Sequence, residues 1–106
     1  MTMWRIAAIG GFAASFLSMH SAGAENIKIK EAIYGTPEAQ KTCVATRAVA
    51  RACDGKQSCT VEVDNNLCGD PNGGVVKKLM IKYGCGSAPA DDVSSQEGAN
   101  IRLSCE

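Results

Sequence analysis

Histidine is all but missing from this chain, and its absence removes a large share of possible chemistry. The single His20 lies in the apolar N-terminal stretch, so the segment that folds has none. No Ser–His or Cys–His nucleophile can then be assembled. Zinc is the rival reading of the six cysteines, and a poor one, because no C-x-x-C pair occurs and no histidine is at hand. Aromatics are scarce as well. Past the N-terminal stretch only Tyr34 and Tyr83 remain, so the core must be made from Ile, Val, Leu, Met and Ala. Neither sign of charge is in excess: without Arg5, 10 basic residues face 11 acidic ones, a net of −1. Lys77, Lys78 and Lys82 are the one basic cluster, with no aromatics interleaved, which argues against a nucleic-acid ligand.

Long hydrophobic runs are absent except for Ile6–Met19. That run follows the charge of Arg5 and ends before Ala22-Gly23-Ala24, the small–x–small pattern of a signal-peptidase site. The order predicts a signal peptide over 1–24, too short for a comfortable membrane span, and export to the periplasm or outside the cell. Removing 24 of 106 residues leaves 82, enough for one domain with a thin core. All six cysteines lie in that part: Cys43, Cys53, Cys59, Cys68, Cys85 and Cys105. An even count in a small exported chain implies three disulfides, with 15 pairings open.

The hydrophobic pattern orders the elements. Ile27, Ile29 and Ile33 alternate with Lys28, Lys30 and Ala32 as a half-buried strand, ended by the turn Tyr34–Pro37. Thr42 is placed to cap a helix starting near Cys43, with Val44, Ala48 and Ala52 on one face and Arg47 and Arg51 on another. After the turn Asp54-Gly55-Lys56, Cys59, Val61 and Val63 mark a second strand. Asn65–Gly74 is loop by composition. Leu79, Ile81, Tyr83 and Cys85 face inward on a third strand, with Lys78, Met80 and Lys82 outward. Gly86–Glu97 is a polar connector, and Ile101, Leu103 and Cys105 mark the last strand. The expected class is α+β: a small disulfide-stapled β-sandwich or sheet of about five strands with one short helix.

At "YGTP" and then "ACDGKQSCTVEVDNNLCGDPNGGVVKKLMIKYGC" the chain resembles the galactose/rhamnose-binding lectin domain, also called SUEL-type. That domain occurs in sea-urchin and fish-egg lectins and at the C-terminus of plant β-galactosidases. The resemblance runs through Ile27–Cys85 in order. The family's opening strand, roughly C-E-G, apolar residues, then Cys, has no counterpart before Ile27. "QEGANIRLSCE" at Gln96–Glu106 has that shape, which implies a circular permutation in which 97–105 supplies the first family strand within a domain spanning 25–106.

The resemblance implies the disulfides Cys53–Cys59, Cys85–Cys105 and Cys43–Cys68. It also implies sugar contacts from Tyr34, Asn65, Asp70, Gly74, Lys77 and Glu97: Asp70 and Glu97 accept from hydroxyls, Lys77 donates to the sugar and holds the acids, Tyr34 shapes the wall, and Gly74 offers backbone. Each residue also has an ordinary reading, Asp70-Pro71 as a turn starter and Tyr34 as core. Several positions depart from the family pattern: Thr36 for its Arg, Lys78 for its Tyr, Asn72 and Gln96 for cysteines, and Cys68 for a large apolar residue. The implied function is a secreted module for galactose- or rhamnose-type glycans, with no cofactor and no catalysis, its weak single site reinforced by self-association or a protein partner. The alternative is a disulfide-stabilised envelope interaction or inhibitor module with an inactive sugar site. A glycosidase on this scaffold would have to use Asp70 and Glu97.

Overall fold

The computed structural model describes residues 25–86 and 88–105; the expected signal peptide and its cleavage point lie outside them. The elements run β1 (Ile27–Thr36), a 3-10 turn (Pro37–Ala39), β2 (Lys41–Val44), α1 (Thr46–Cys53), β3 (Ser58–Glu62), β4 (Lys78–Cys85), β5 (Asp91–Gln96) and β6 (Asn100–Ser104). They form an antiparallel four-stranded sheet in the order β2-β1-β4-β5 and a two-stranded sheet, β3-β6. The inner faces of both sheets and one face of α1 meet in a single core. β1 contributes Ile27, Ile29, Ala32 and Tyr34, β4 contributes Leu79, Ile81 and Tyr83, and Val61, Ile101 and Leu103 come from the smaller sheet.

β1 departs from the simple alternation its isoleucines suggest. Its register with β4 shifts between Ile29 and Glu31, so Lys30 is the extra residue of a bulge. Because a strand's side chains alternate with period 2, one extra residue exchanges the faces beyond it. Ala32 and Tyr34 therefore turn inward, and Ile33, expected in the core, lies on the outer face beside Met80. Gly35 then has to pass close to β2: its φ is +145°, and a Cβ there would collide with the Lys41 carbonyl and lie 2.7 Å from the Thr42 Cα. Glycine at this point is what lets Tyr34 stay inside a tight hairpin.

The helix also begins later than its sequence suggests. Cys43 and Val44 belong to β2, which pairs Val44 with Ile33 and Cys43 with Tyr34. The buried face is Ala45, Val49 and Cys53, at i, i+4 and i+8, in place of the expected Val44, Ala48 and Ala52. Val44 is 68% exposed. Thr42 caps nothing. Thr46 instead accepts the Ala32 N–H at 3.0 Å, while the Ala45 N–H donates to the Ala32 carbonyl at 2.8 Å, tying the helix entry to β1. At the other end Asp54 accepts the Ile29 N–H at 2.8 Å and pairs with Lys28 at 3.5 Å, next to the bulge.

Part of the expected polar connector is the edge strand β5, whose Asp91, Asp92, Ser94 and Gln96 gave it no apolar periodicity to detect. β6 completes the second sheet against β3, pairing Ser58 with Ser104 and Glu62 with Asn100. Disulfides join Cys43–Cys68, Cys53–Cys59 and Cys85–Cys105, the pairs the family resemblance implies. Among the described residues no helix is long and apolar enough to cross a membrane, and no group of His, Cys, Asp or Glu is placed to hold a metal ion.

Candidate functional site

Three separate stretches of chain converge at one end of the sandwich. The first is β1, which buries Tyr34 completely. The second is the long loop from β3 to β4, carrying Asn65, Asp70, Gly74 and Lys77. The third is the turn between β5 and β6, carrying Glu97. The loop is fastened by the Cys43–Cys68 bridge and by short turns, including the Gly69 N–H on the Asn65 carbonyl at 2.9 Å. The turn is fastened by the Gly98 N–H on the Val63 carbonyl at 2.9 Å, which ties it to the end of β3.

Lys77 is the hub. Although it is a lysine, its residue is only 3% exposed. Its ammonium lies 2.8 Å from Asp70 Oδ1 and 3.2 Å from Glu97 Oε1. It also donates to the carbonyls of Val75 at 2.7 Å and Asn72 at 3.1 Å. An ammonium has three N–H groups, and four acceptors already surround this one. Hydrogen bonding to Asp70, then to Glu97, raises the Lys77 pKa above its ordinary 10.5 despite the opposing effect of burial. The cation is therefore charged at neutral pH, with its donors directed at groups of the protein itself. In this geometry it holds the two acids and the loop backbone.

Tyr34 stands behind the site, outside the lining, and its hydroxyl donates to Asn65 Oδ1 at 2.6 Å. That bond uses the amide oxygen of Asn65 and leaves its NH2 as the group able to donate outward. Burial, followed by the negative charge of Glu97, pushes the Tyr34 pKa above 10.0, so the phenol remains a donor.

What faces solvent is an open depression of about 310 Å³ lined by Asn65, Asp70, Gly74, Val75, Val76, Lys77 and Glu97. Lys77 engages Asp70 through Oδ1 and Glu97 through Oε1, and both acidic side chains stay partly exposed, at 43% and 29%. The arrangement offers two charged acceptors, one amide donor and an apolar rim. Of the six expected residues it brings five to the depression and sets Tyr34 behind them. Three residues were not foreseen: Asn72, whose carbonyl holds Lys77 and whose amide donates to Thr36 Oγ1 at 3.3 Å, and the pair Val75–Val76. The valines had a signal in the sequence, since two adjacent apolar residues at a strand entrance cannot both face the core. Larger hollows of about 550 Å³ over Ile33 and Met80 and about 650 Å³ beside Lys78 and Gln96 lack the clamped pair of acids.

Comparison with known proteins points to one family. Residues 19–85, more than half of the chain, match the model of the D-galactoside/L-rhamnose binding SUEL lectin domain. Beta-galactosidase 8 of Arabidopsis thaliana is 39% identical over 66 residues, covering 54% of this chain and 8% of that protein. The rhamnose-binding lectin of Silurus asotus is 39% identical over 57 residues, covering 54% of this chain and 17% of that lectin. The D-galactoside-specific lectin of Heliocidaris crassispina is 30% identical over 86 residues, covering 67% of this chain and 82% of that lectin. No solved structure matches the chain. The family match ends at Cys85, before the strand that follows Glu97. On the strength of the domain match and the Heliocidaris crassispina relative, the chain belongs to the D-galactoside/L-rhamnose binding SUEL lectin domain family.

Proposed function

We propose that this chain is an exported carbohydrate-binding module for galactose- or rhamnose-type sugars that binds without chemical conversion. The observation that carries the reading is the clamp itself. Asp70 and Glu97, 27 positions apart, are held on one buried ammonium while their side chains stay partly exposed, and both line the depression with Asn65. Sugar hydroxyls both donate and accept, and bonds to a carboxylate are about twice as strong as neutral ones. Holding the acceptors rigidly in advance lowers the ordering cost of binding a small ligand. Three disulfides support export into an oxidising compartment, periplasmic or extracellular. In this reading β6 takes the role of the family's opening strand, and Glu97 that of its glutamate. A single shallow site yields a Kd on the order of 0.1–1 mM, so firm attachment to glycans requires several sites, through self-association or a partner.

Isothermal titration of the oxidised protein with L-rhamnose and D-galactose tests the proposal. Saturable heats in that range support it. Flat traces at several times that concentration, from protein shown to be folded, overturn it.

A further inference from the structure

Three large apolar side chains are notably exposed among the described residues: Val44, Val75 at 43% and Val76 at 68%. Two of the three are neighbours in sequence, and both line the depression that holds Asn65, Asp70 and Glu97. Their backbone is not loose. The carbonyl of Val75, part of the peptide that joins the two valines, accepts the Lys77 ammonium at 2.7 Å, and the Val75 N–H donates to the Asn72 carbonyl at 3.3 Å. The same cation that clamps the acids thus fixes the valines beside them.

A sugar presents hydroxyls on some edges and C–H or methyl surface on others, so a complete site needs an apolar contact as well as acceptors. An aromatic face often fills that role, but here both tyrosines are committed to the core, Tyr34 at 0% and Tyr83 at 7% exposure. Val75 and Val76 are the apolar surface left within reach of the acceptors. Such a surface gains from covering a methyl group. It loses when it covers a hydroxymethyl, whose hydroxyl is then cut off from water without a partner.

We infer that Val75 and Val76 are the specificity-determining residues of this site, forming the apolar contact for the C6 methyl and adjoining C–H edge of a 6-deoxyhexose. The inference rests on the carbohydrate reading above and chooses within it: of two sugars differing only at C6, the deoxy one binds more tightly. Covering one methyl corresponds to about a fourfold gain, and stranding a hydroxyl extends the ratio toward about tenfold.

The test is titration of the oxidised chain with two matched pairs, L-rhamnose against L-mannose and D-fucose against D-galactose. The parent protein is expected to favour the 6-deoxy member of at least one pair by about four- to tenfold. In Val75→Thr/Val76→Thr, a change of shape-matched exposed side chains, the ratio is expected to fall to near one. Equal affinities within both pairs in the parent protein overturn the inference while leaving sugar binding intact. So does a preference that persists unchanged in the folded double variant. If that variant does not fold, the single Val76→Thr and the parent ratios decide. Absence of binding to all four sugars overturns the carbohydrate reading itself, and this inference with it.

Discussion

Glu97 and Lys77 hold each other through both backbone and side chain. The Lys77 N–H donates to Glu97 Oε1 at 3.1 Å, its ammonium reaches the same oxygen at 3.2 Å, and the Glu97 N–H returns a bond to the Lys77 carbonyl at 2.7 Å. The turn between β5 and β6 is thereby locked to the entrance of β4, and the clamp is part of the fold as well as of the site. Lys77→Met removes the shared cation and leaves two carboxylates beside each other with nothing to neutralise them. Titration calorimetry should then show sugar affinity reduced by at least about tenfold, together with a lowered Tm in a thermal melt. Unchanged affinity in a folded Lys77→Met protein would remove the clamp from the mechanism.

Asp70→Asn separates charge from shape. The amide can still accept through one oxygen, but it turns a charge-assisted bond into a neutral one and sheds half of Lys77's anionic partners. Affinity for the better of rhamnose and galactose should drop by about three- to tenfold while the fold is retained. The measurement is the same titration, with circular dichroism as the control. An Asp70→Asn protein that binds as the parent does would assign Asp70 to loop structure alone.

Alkaline stability follows from two raised pKa values. Lys77 and Tyr34 both titrate above their ordinary 10.5 and 10.0 when folded, Lys77 through its bonds to Asp70 and Glu97, Tyr34 through burial. A group whose folded pKa is raised contributes stability that is complete below the unfolded value and lost as pH climbs through the folded one. Urea midpoints measured at constant temperature should stay level up to about pH 9.5 and then fall steadily. Tyr34→Phe should remove the tyrosine's share of that fall but leave the lysine's. At neutral pH the same variant loses the 2.6 Å bond to Asn65, which costs about 1 kcal/mol, or about 4–8 °C in Tm for a domain of this size. A midpoint that rises with pH over this window would contradict the assignment.

The helix phase offers a direct check on packing. Val49 is fully buried and Val44 is 68% exposed, although the sequence pattern favours Val44 as the inward residue. Val49→Ala deletes two buried methyl groups and should destabilise by about 2 kcal/mol in urea denaturation. Val44→Ala should stay within about 0.5 kcal/mol of the parent. The reverse order would restore the earlier helix start.

The phase was hard to read because tertiary contacts set it. Helical periodicity in "CVATRAVARAC" is satisfied about equally by frames that start one residue apart. The choice between them was made by tertiary contacts, since Cys43 had to reach Cys68 and Thr46 had to meet Ala32. The bulge at Lys30 is invisible for a similar reason: Ile33 looks like core until β4 sets the register that puts Tyr34 there instead. The strands β3, β4 and β6 were legible because Val61, Leu79, Ile81, Ile101 and Leu103 keep strict alternation. In the site, the six residues came only from the family resemblance, and five of them meet at one depression. The surroundings of Lys77 were not legible, because whether a lysine faces water or four acceptors depends on the path of a loop with no periodicity.

The Cys85–Cys105 bridge is the element that commits the C-terminal strand to this arrangement. It ties the end of β4 to the residue after β6, across a sequence separation of 20. Among the described residues β6 pairs only with β3, and Glu97 enters the site through the turn at its start. Replacing both cysteines with alanine frees a loop whose closure is worth about 3 kcal/mol by chain entropy. The double variant should therefore melt well below the parent. It should also bind sugar more weakly, because the strand that delivers Glu97 then frays from its last residue. Removing Cys53–Cys59 instead, a bridge of separation 6 at the far end of α1, should cost stability with a smaller effect on affinity. Equal affinity losses from the two deletions would show that general loosening, and no specific delivery of Glu97, is what the bridges control.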